Sequence, residues 1–125
     1  MRLEILDQEL AVCRLDVDSP VPSWLAGELT AVVRRYGECS LVCAADAVPD
    51  DGVEHAGPYR ALMIVGQVDL AEVGVLRDLT VPLAAAEVPV FALSTYDTDL
   101  LLVPAAQVQD AVTALAGAGY EVTGS

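Results

Sequence analysis

The sequence has no lysine: all 6 of its basic residues are arginines, set against 19 acidic ones. The net charge of −13 repels phosphate backbones and anionic lipid headgroups, so nucleic acid and membrane surfaces are poor partners. The same field attracts a cationic ligand. No apolar run reaches the roughly 18–20 residues that span a bilayer, and Glu4 falls where a secretion signal needs an unbroken apolar stretch. Three cysteines are an odd number for a disulfide framework, so the expected compartment is the reducing cytoplasm.

The means of catalysis are also scarce. The only histidine, His55, sits between Glu54 and Ala56 in a polar stretch expected to be a solvated loop, with no shaped pocket for a general acid or base. Glycine-rich phosphate cradles, Gly-x-Ser-x-Gly and His-Glu-x-x-His are absent. Cys39 and Cys43 share one face of a strand, but zinc would need two more ligands at close spacing, so buried structural thiols are expected. Asp46, Asp50, Asp51 and Glu54 do not have EF-hand spacing. No enzyme, no cofactor and no metal are expected.

What remains is 125 residues, 54% of them hydrophobic, enough for a domain with a real core. Leu3–Leu6 and Leu10–Leu15 read as strands, and Pro22 opens a helical turn near Ser23–Leu25. Leu29–Tyr36 and Cys39–Cys43 form a hairpin about Gly37-Glu38. Residues 44–58 are a turn-rich seam, and Tyr59–Val68 is a long strand. Leu70, Val73, Leu76, Leu79 and Leu83 then recur at threes and fours, which is a helix face that Pro82 should kink or end. Val88–Leu93 and Asp99–Val103 are strands. Pro104 opens a helix striped by Val108, Ala111, Val112 and Leu115, which Gly117 and Gly119 stop. Tyr120–Thr123 adds a last strand. From residue 59 the order is β-α-β-β-α-β, the ferredoxin-like arrangement. The expected class is α+β, an antiparallel sheet with helices on one face. Residues 1–57 are an abbreviated copy and 58–125 the full unit.

Two segments read either as ordinary structure, a wet strand tip and a glycine at a tight helix–strand contact, or as parts of a ligand site. Ser94-Thr95-Tyr96-Asp97-Thr98-Asp99 puts hydroxyls, a phenol and carboxylates between apolar strands without the glycine of a tight hairpin turn. Polar groups on an apolar sheet need partners, and a ligand is one way to supply them. Val68 to Leu76 passes from strand to helix with Gly74 and Val75 at the helix start, where unbonded N–H groups and the helix dipole suit a carboxylate. Together they offer both ends of a zwitterionic amino acid a partner.

With Val90 to Val103, which contains that polar segment, the chain resembles ACT-domain proteins of the CASTOR type, amino-acid-sensing relatives of the regulatory ACT domains of aspartate kinase. Arg60-Ala61-Leu62, Gly66, Leu76 and Pro82-Leu83-Ala84 are similar to the same pattern. So are Ala11–Leu15, Pro20–Trp24, Glu38–Cys43 and Val48-Pro49. The resemblance covers nearly the whole chain. It implies a tandem ACT-like fold, no catalysis, and amino-acid binding at an interface between ACT units. It also implies a pocket lined by Gly74, Val75, Thr95, Tyr96 and Asp99, with Asp99 meeting a guanidinium. Arginine or lysine is then the favoured ligand. Arginine sensors carry four ACT units and this chain about two, so a homodimer would complete the pocket. The alternative is a ligand-free interaction module that regulates a partner enzyme.

Overall fold

Residues 1–69 and 71–124 are described by the computed structural model of the chain. Leu70, counted above in the helix face, and Ser125 lie outside the described residues. The elements in order are β1 (Arg2–Ile5), β2 (Leu10–Leu15), β3 (Ala31–Arg35), β4 (Glu38–Ala44), β5 (Glu54–Ile64), α1 (Val75–Ala85), β6 (Phe91–Ser94), β7 (Asp99–Pro104), α2 (Val108–Gly117) and β8 (Glu121–Thr123). Single 3-10 turns occupy Ala45–Ala47 and Ala105–Gln107. Among the described residues no helix is long and apolar enough to cross a membrane.

The chain forms two compact units, Gln8–Tyr59 and the pair of segments Met1–Asp7 and Arg60–Ser125. The first seven residues therefore group with the C-terminal unit, where the sequence reading had placed them in a front half ending at residue 57. The cause is strand pairing. β1 lies antiparallel to β5, with Leu3 opposite Ile64, and parallel to β8, with Leu3 opposite Val122.

In the N-terminal unit β3, β4, β2 and the start of β5 pair antiparallel in that order. Alternation puts Cys39, Leu41 and Cys43 of β4 on one face, where they pack with Ala11 and Cys13. Trp24, Leu25, Val48 and Val53 cover this cluster. The helical turn expected near Ser23–Leu25 is a simple turn, closed by the Leu25 N–H donating to the Pro22 carbonyl at 3.2 Å. The seam is shorter than expected because β5 begins at Glu54, its N-terminal residues held by Val12, Cys13 and Arg14 of β2. His55 is thus an exposed strand residue, not a loop residue, with Nδ1 3.0 Å from the Val53 carbonyl. β5 likewise ends at Ile64, four residues before the expected Val68.

The C-terminal unit has the strand order β6-β7-β5-β1-β8. Without β1 this is the expected β-α-β-β-α-β plan, with β8 antiparallel to β5. One strand set between two antiparallel neighbours must run parallel to one of them, which is why the β1–β8 pair is parallel. Both helices lie on one face. Val75, Leu79 and Leu83 of α1 and Ala111 and Leu115 of α2 pack with Leu3, Ile5, Leu62, Ile64, Leu101 and Val103 from the strands.

The helices differ from expectation at their ends. α1 starts at Val75, so Val73 is off the buried face and 93% exposed. Pro82 neither ends nor interrupts α1, which runs on to Ala85. A proline there removes one helical hydrogen bond, and the fully buried Leu83 beside it holds the turn in register. Pro104 closes β7 instead of opening the last helix, which starts at Val108 after the 3-10 turn. Gly119, at φ +98, follows the end of α2, and the Tyr120 N–H returns to the Leu115 carbonyl at 3.0 Å.

Burial, with Cys43 beside it, pushes the Cys13 thiol up to about 12, and burial also raises Cys43. An unfolded Cys13 would titrate near 9.0. Above that pH the unfolded chain releases a proton that the folded chain keeps, so this contribution to stability is whole below pH 9.0 and is lost as pH climbs toward 12. Denaturant unfolding at pH 8, 9.5 and 11 should show that decline. At pH 8 a disulfide-exchange reagent should leave Cys13, Cys39 and Cys43 unlabelled in the native protein and label them in denaturant.

Candidate functional site

The β6–β7 hairpin closes on the pair Ser94 and Asp99, leaving Thr95–Thr98 as its connection. Thr95 closes this turn with both its backbone and its hydroxyl. Its N–H donates to the Thr98 carbonyl at 2.8 Å, and its hydroxyl oxygen accepts from the Thr98 N–H at 3.1 Å. The Thr98 hydroxyl donates to the Ile64 carbonyl at 3.0 Å. Asp97 ties the hairpin to the segment after β5, through Val68 N–H to its carbonyl at 2.7 Å and the Gln67 amide to its carboxylate at 3.1 Å. The Ser94 hydroxyl donates to Asp99 Oδ1 at 2.6 Å. Most polar atoms of this segment are therefore matched within the chain. The second oxygen of Asp99 has no partner among the described residues.

Opposite the hairpin, Asp69 shapes the approach to α1. Its carboxylate accepts from the Ala71 N–H at 2.8 Å and its carbonyl from the Glu72 N–H at 3.0 Å. Gly74 then reverses the chain at φ +89 and caps α1 with no side-chain hydrogen bond. The first helical bond runs from Asp78 N–H to the Gly74 carbonyl at 3.0 Å. The N–H groups of Val75, Leu76 and Arg77 accordingly have no helical acceptor.

Between these two features lies a cleft of about 360 Å³, near the lower end of the ~300–1,000 Å³ typical of small-molecule sites. Val68, Asp69, Glu72 and Gly74 to Arg77 form one wall, and Ser94, Thr95, Thr98 and Asp99 the other. Gly74, Val75, Thr95 and Asp99, singled out from sequence, thus line one space. Tyr96 does not line it. It stands 78% exposed beside Gln67, Val68 and Asp69 at a separate hollow. Sequence reasoning assigned no binding role to Asp69, Glu72 or Arg77. The only available signal was the Asp69-x-x-Glu72 spacing ahead of a glycine, which reads equally well as a helix start.

The N-terminal unit has a larger hollow, about 770 Å³, between Arg14 and Ser19 and around Gly37, Gly52 and Glu54. Its walls are turn backbone and a well-exposed Arg14–Glu54 ion pair at 3.7 Å, and Arg34 reaches the Val17 carbonyl nearby. Asp16, Asp18 and Ser19 also line it.

The cleft, the hairpin and α1 all fall within residues 54–117, which match the family model of the ACT domain. The chain belongs to the ACT-domain family. Residues 8–51 match a separate model, described as an N-terminal domain, and these limits fall within the N-terminal unit. No curated protein matches the sequence. Among solved structures the chain is similar to a protein of Agrobacterium tumefaciens, with 28% identity, 98% of this chain and 91% of that one covered, and a TM-score of 0.90. It is also similar to a Vibrio cholerae protein of unknown function, at 20% identity, with 94% and 88% covered and a TM-score of 0.77. The regulatory subunit of aspartate kinase from Thermus flavus shares the fold at 11% identity, with 94% and 97% covered and a TM-score of 0.65.

The start of α1 in this ACT domain depends on one backbone conformation. A Cβ at Gly74 would meet nothing within 4 Å, so Gly74→Ala adds the strain of a left-handed residue and no clash. Denaturant titration should show a loss of about 1–2 kcal/mol. Gly74→Asn should lose less, because asparagine tolerates this region better.

Proposed function

We propose that the chain is a non-catalytic regulatory ACT protein of the CASTOR type that binds a cationic amino acid, arginine or lysine, in the cleft between α1 and the β6–β7 hairpin. One observation carries the reading: a single cleft has the unbonded N–H groups of the α1 start on one wall and the Asp99 carboxylate on the other. The first suits a ligand carboxylate, the second its cationic end. Asp69 and Glu72 reinforce the preference for a cation. A homodimer would give each chain the facing unit that the resemblance implies, and sedimentation at micromolar concentration tests it, a monomer throughout counting against it.

A second reading, a ligand-free interaction module acting on a partner enzyme, draws support from the internal hydrogen bonds of Ser94, Thr95 and Thr98. Those groups need no ligand to be satisfied. A thermal-shift screen of the amino acids on protein first freed of bound metabolite separates the two. An amino acid has few atoms, so micromolar affinity, about −7 to −8 kcal/mol, is a reasonable ceiling. At about a hundred times Kd the stabilisation is roughly 2.7 kcal/mol, which should raise Tm by about 10 °C. A flat screen favours the interaction module.

Asp99→Asn preserves the acceptor for Ser94 and removes the charge. Losing a charge-assisted hydrogen bond of about 1.5–3 kcal/mol should weaken arginine or lysine binding roughly tenfold to a hundredfold in calorimetric titration. Asp97→Asn, outside the cleft, should leave affinity nearly unchanged.

A further inference from the structure

Ser94 and Asp99 are the strand pair at which the β6–β7 hairpin closes. Residues directly opposite on antiparallel strands send their side chains to one face, and both of these line the cleft. The Ser94 hydroxyl donates to Asp99 Oδ1 at 2.6 Å, a length typical of a charge-assisted O–H···O⁻ bond. Packing does not require this bond, because Ser94 is exposed and water would satisfy its hydroxyl equally well. The other two hydroxyls of that wall donate to carbonyls, Thr95 to Thr98 at 3.1 Å and Thr98 to Ile64 at 3.0 Å. Ser94 is thus the hydroxyl that touches the carboxylate. Its effect falls on Asp99, whose Oδ1 is already shared while Oδ2 has no partner among the described residues.

We propose that Ser94 is a specificity-determining residue of the cleft: by holding one oxygen of Asp99 it favours an alkylammonium over a guanidinium, and so lysine over arginine. The inference rests on the proposal that the cleft binds a cationic amino acid, and it narrows that ligand. With the ligand's carboxylate on the N–H groups of the α1 start, its side chain points across to the hairpin wall, where Asp99 supplies the carboxylate. A guanidinium pairs best with a carboxylate through two parallel bonds, one to each oxygen. At Asp99 one of those oxygens already accepts from Ser94, so the fork has to share it. An ammonium is a compact point charge with rotatable donors, and the one unshared oxygen serves it.

The test is calorimetric titration of L-lysine and L-arginine into the full chain, Ser94→Thr and Ser94→Val. Threonine and valine have the same shape and both suit a strand, but only threonine can donate to Asp99. The native protein and Ser94→Thr should bind lysine more tightly than arginine. In Ser94→Val the ratio of the two affinities should move toward arginine by roughly two- to tenfold, the range for one hydrogen bond. Ser94→Ala also lacks the donor and adds no bulk, so it gives the same reading where valine crowds the hairpin end. Arginine bound as tightly as lysine by the native protein would overturn the assignment while leaving the cleft as a binding site. So would an unchanged ratio in the variants without the donor. No binding of either amino acid to the native protein would remove the binding proposal and the role of Ser94 with it.

Discussion

Four consecutive buried residues, Leu100 to Val103, hold β7 between β5 and β6, and the position of the cleft follows from that placement. Successive side chains on a strand point to opposite faces, so four in a row without exposure mean a strand buried on both faces. β7 therefore cannot slide or tilt without uncovering leucine. Asp99, at its first position, is fixed by the same constraint, and Ser94 with it through the Ser94–Asp99 pair that closes the hairpin. On the other wall Leu79 and Leu83 anchor α1 to the same sheet, so the helix start is fixed as firmly. The cleft is an opening between two elements held from beneath, which is the arrangement a binding site needs to keep its donors and acceptors in place.

The charge pattern complements this rigidity. The excess of acids over bases draws cations toward the whole chain, and Asp69, Glu72 and Asp99 continue that sign at the cleft.

The order of elements in the C-terminal unit was legible because period and punctuation agree there. Leu79 and Leu83 repeat at helical spacing, Leu100 to Val103 is apolar throughout, and Gly117 and Gly119 mark an end. What the sequence hid was non-local. Nothing in Arg2–Ile5 tells that this strand pairs with residues near 64 and 122, since partner choice is set by the sheet as a whole. The start of α1 was misplaced because Val73 continues the apolar period, whereas the left-handed Gly74 and the Asp69 turn break it. At the candidate site, the polar segment Ser94 to Asp99 and the glycine at the helix start were visible as chemistry, whereas the pocket of Gly74, Val75, Thr95, Tyr96 and Asp99 came from the family resemblance. Tyr96 stands at a separate hollow because a turn sends adjacent side chains in different directions.

The pairing of β1 with both β5 and β8 makes the C-terminal unit discontinuous, with all of Gln8–Tyr59 lying between two of its pieces in the chain. During synthesis β1 is made before either of its neighbours, the first arriving with Arg60–Ile64 and the second with Glu121–Thr123. Leu3 and Ile5, buried at the end, stay in water or in a chaperone's keeping for most of that time. The intervening unit, whose strands pair over short separations, is complete long before. Assembly on the ribosome is thus nested instead of sequential, with the inner unit closing first and the outer one sealed by its last strand.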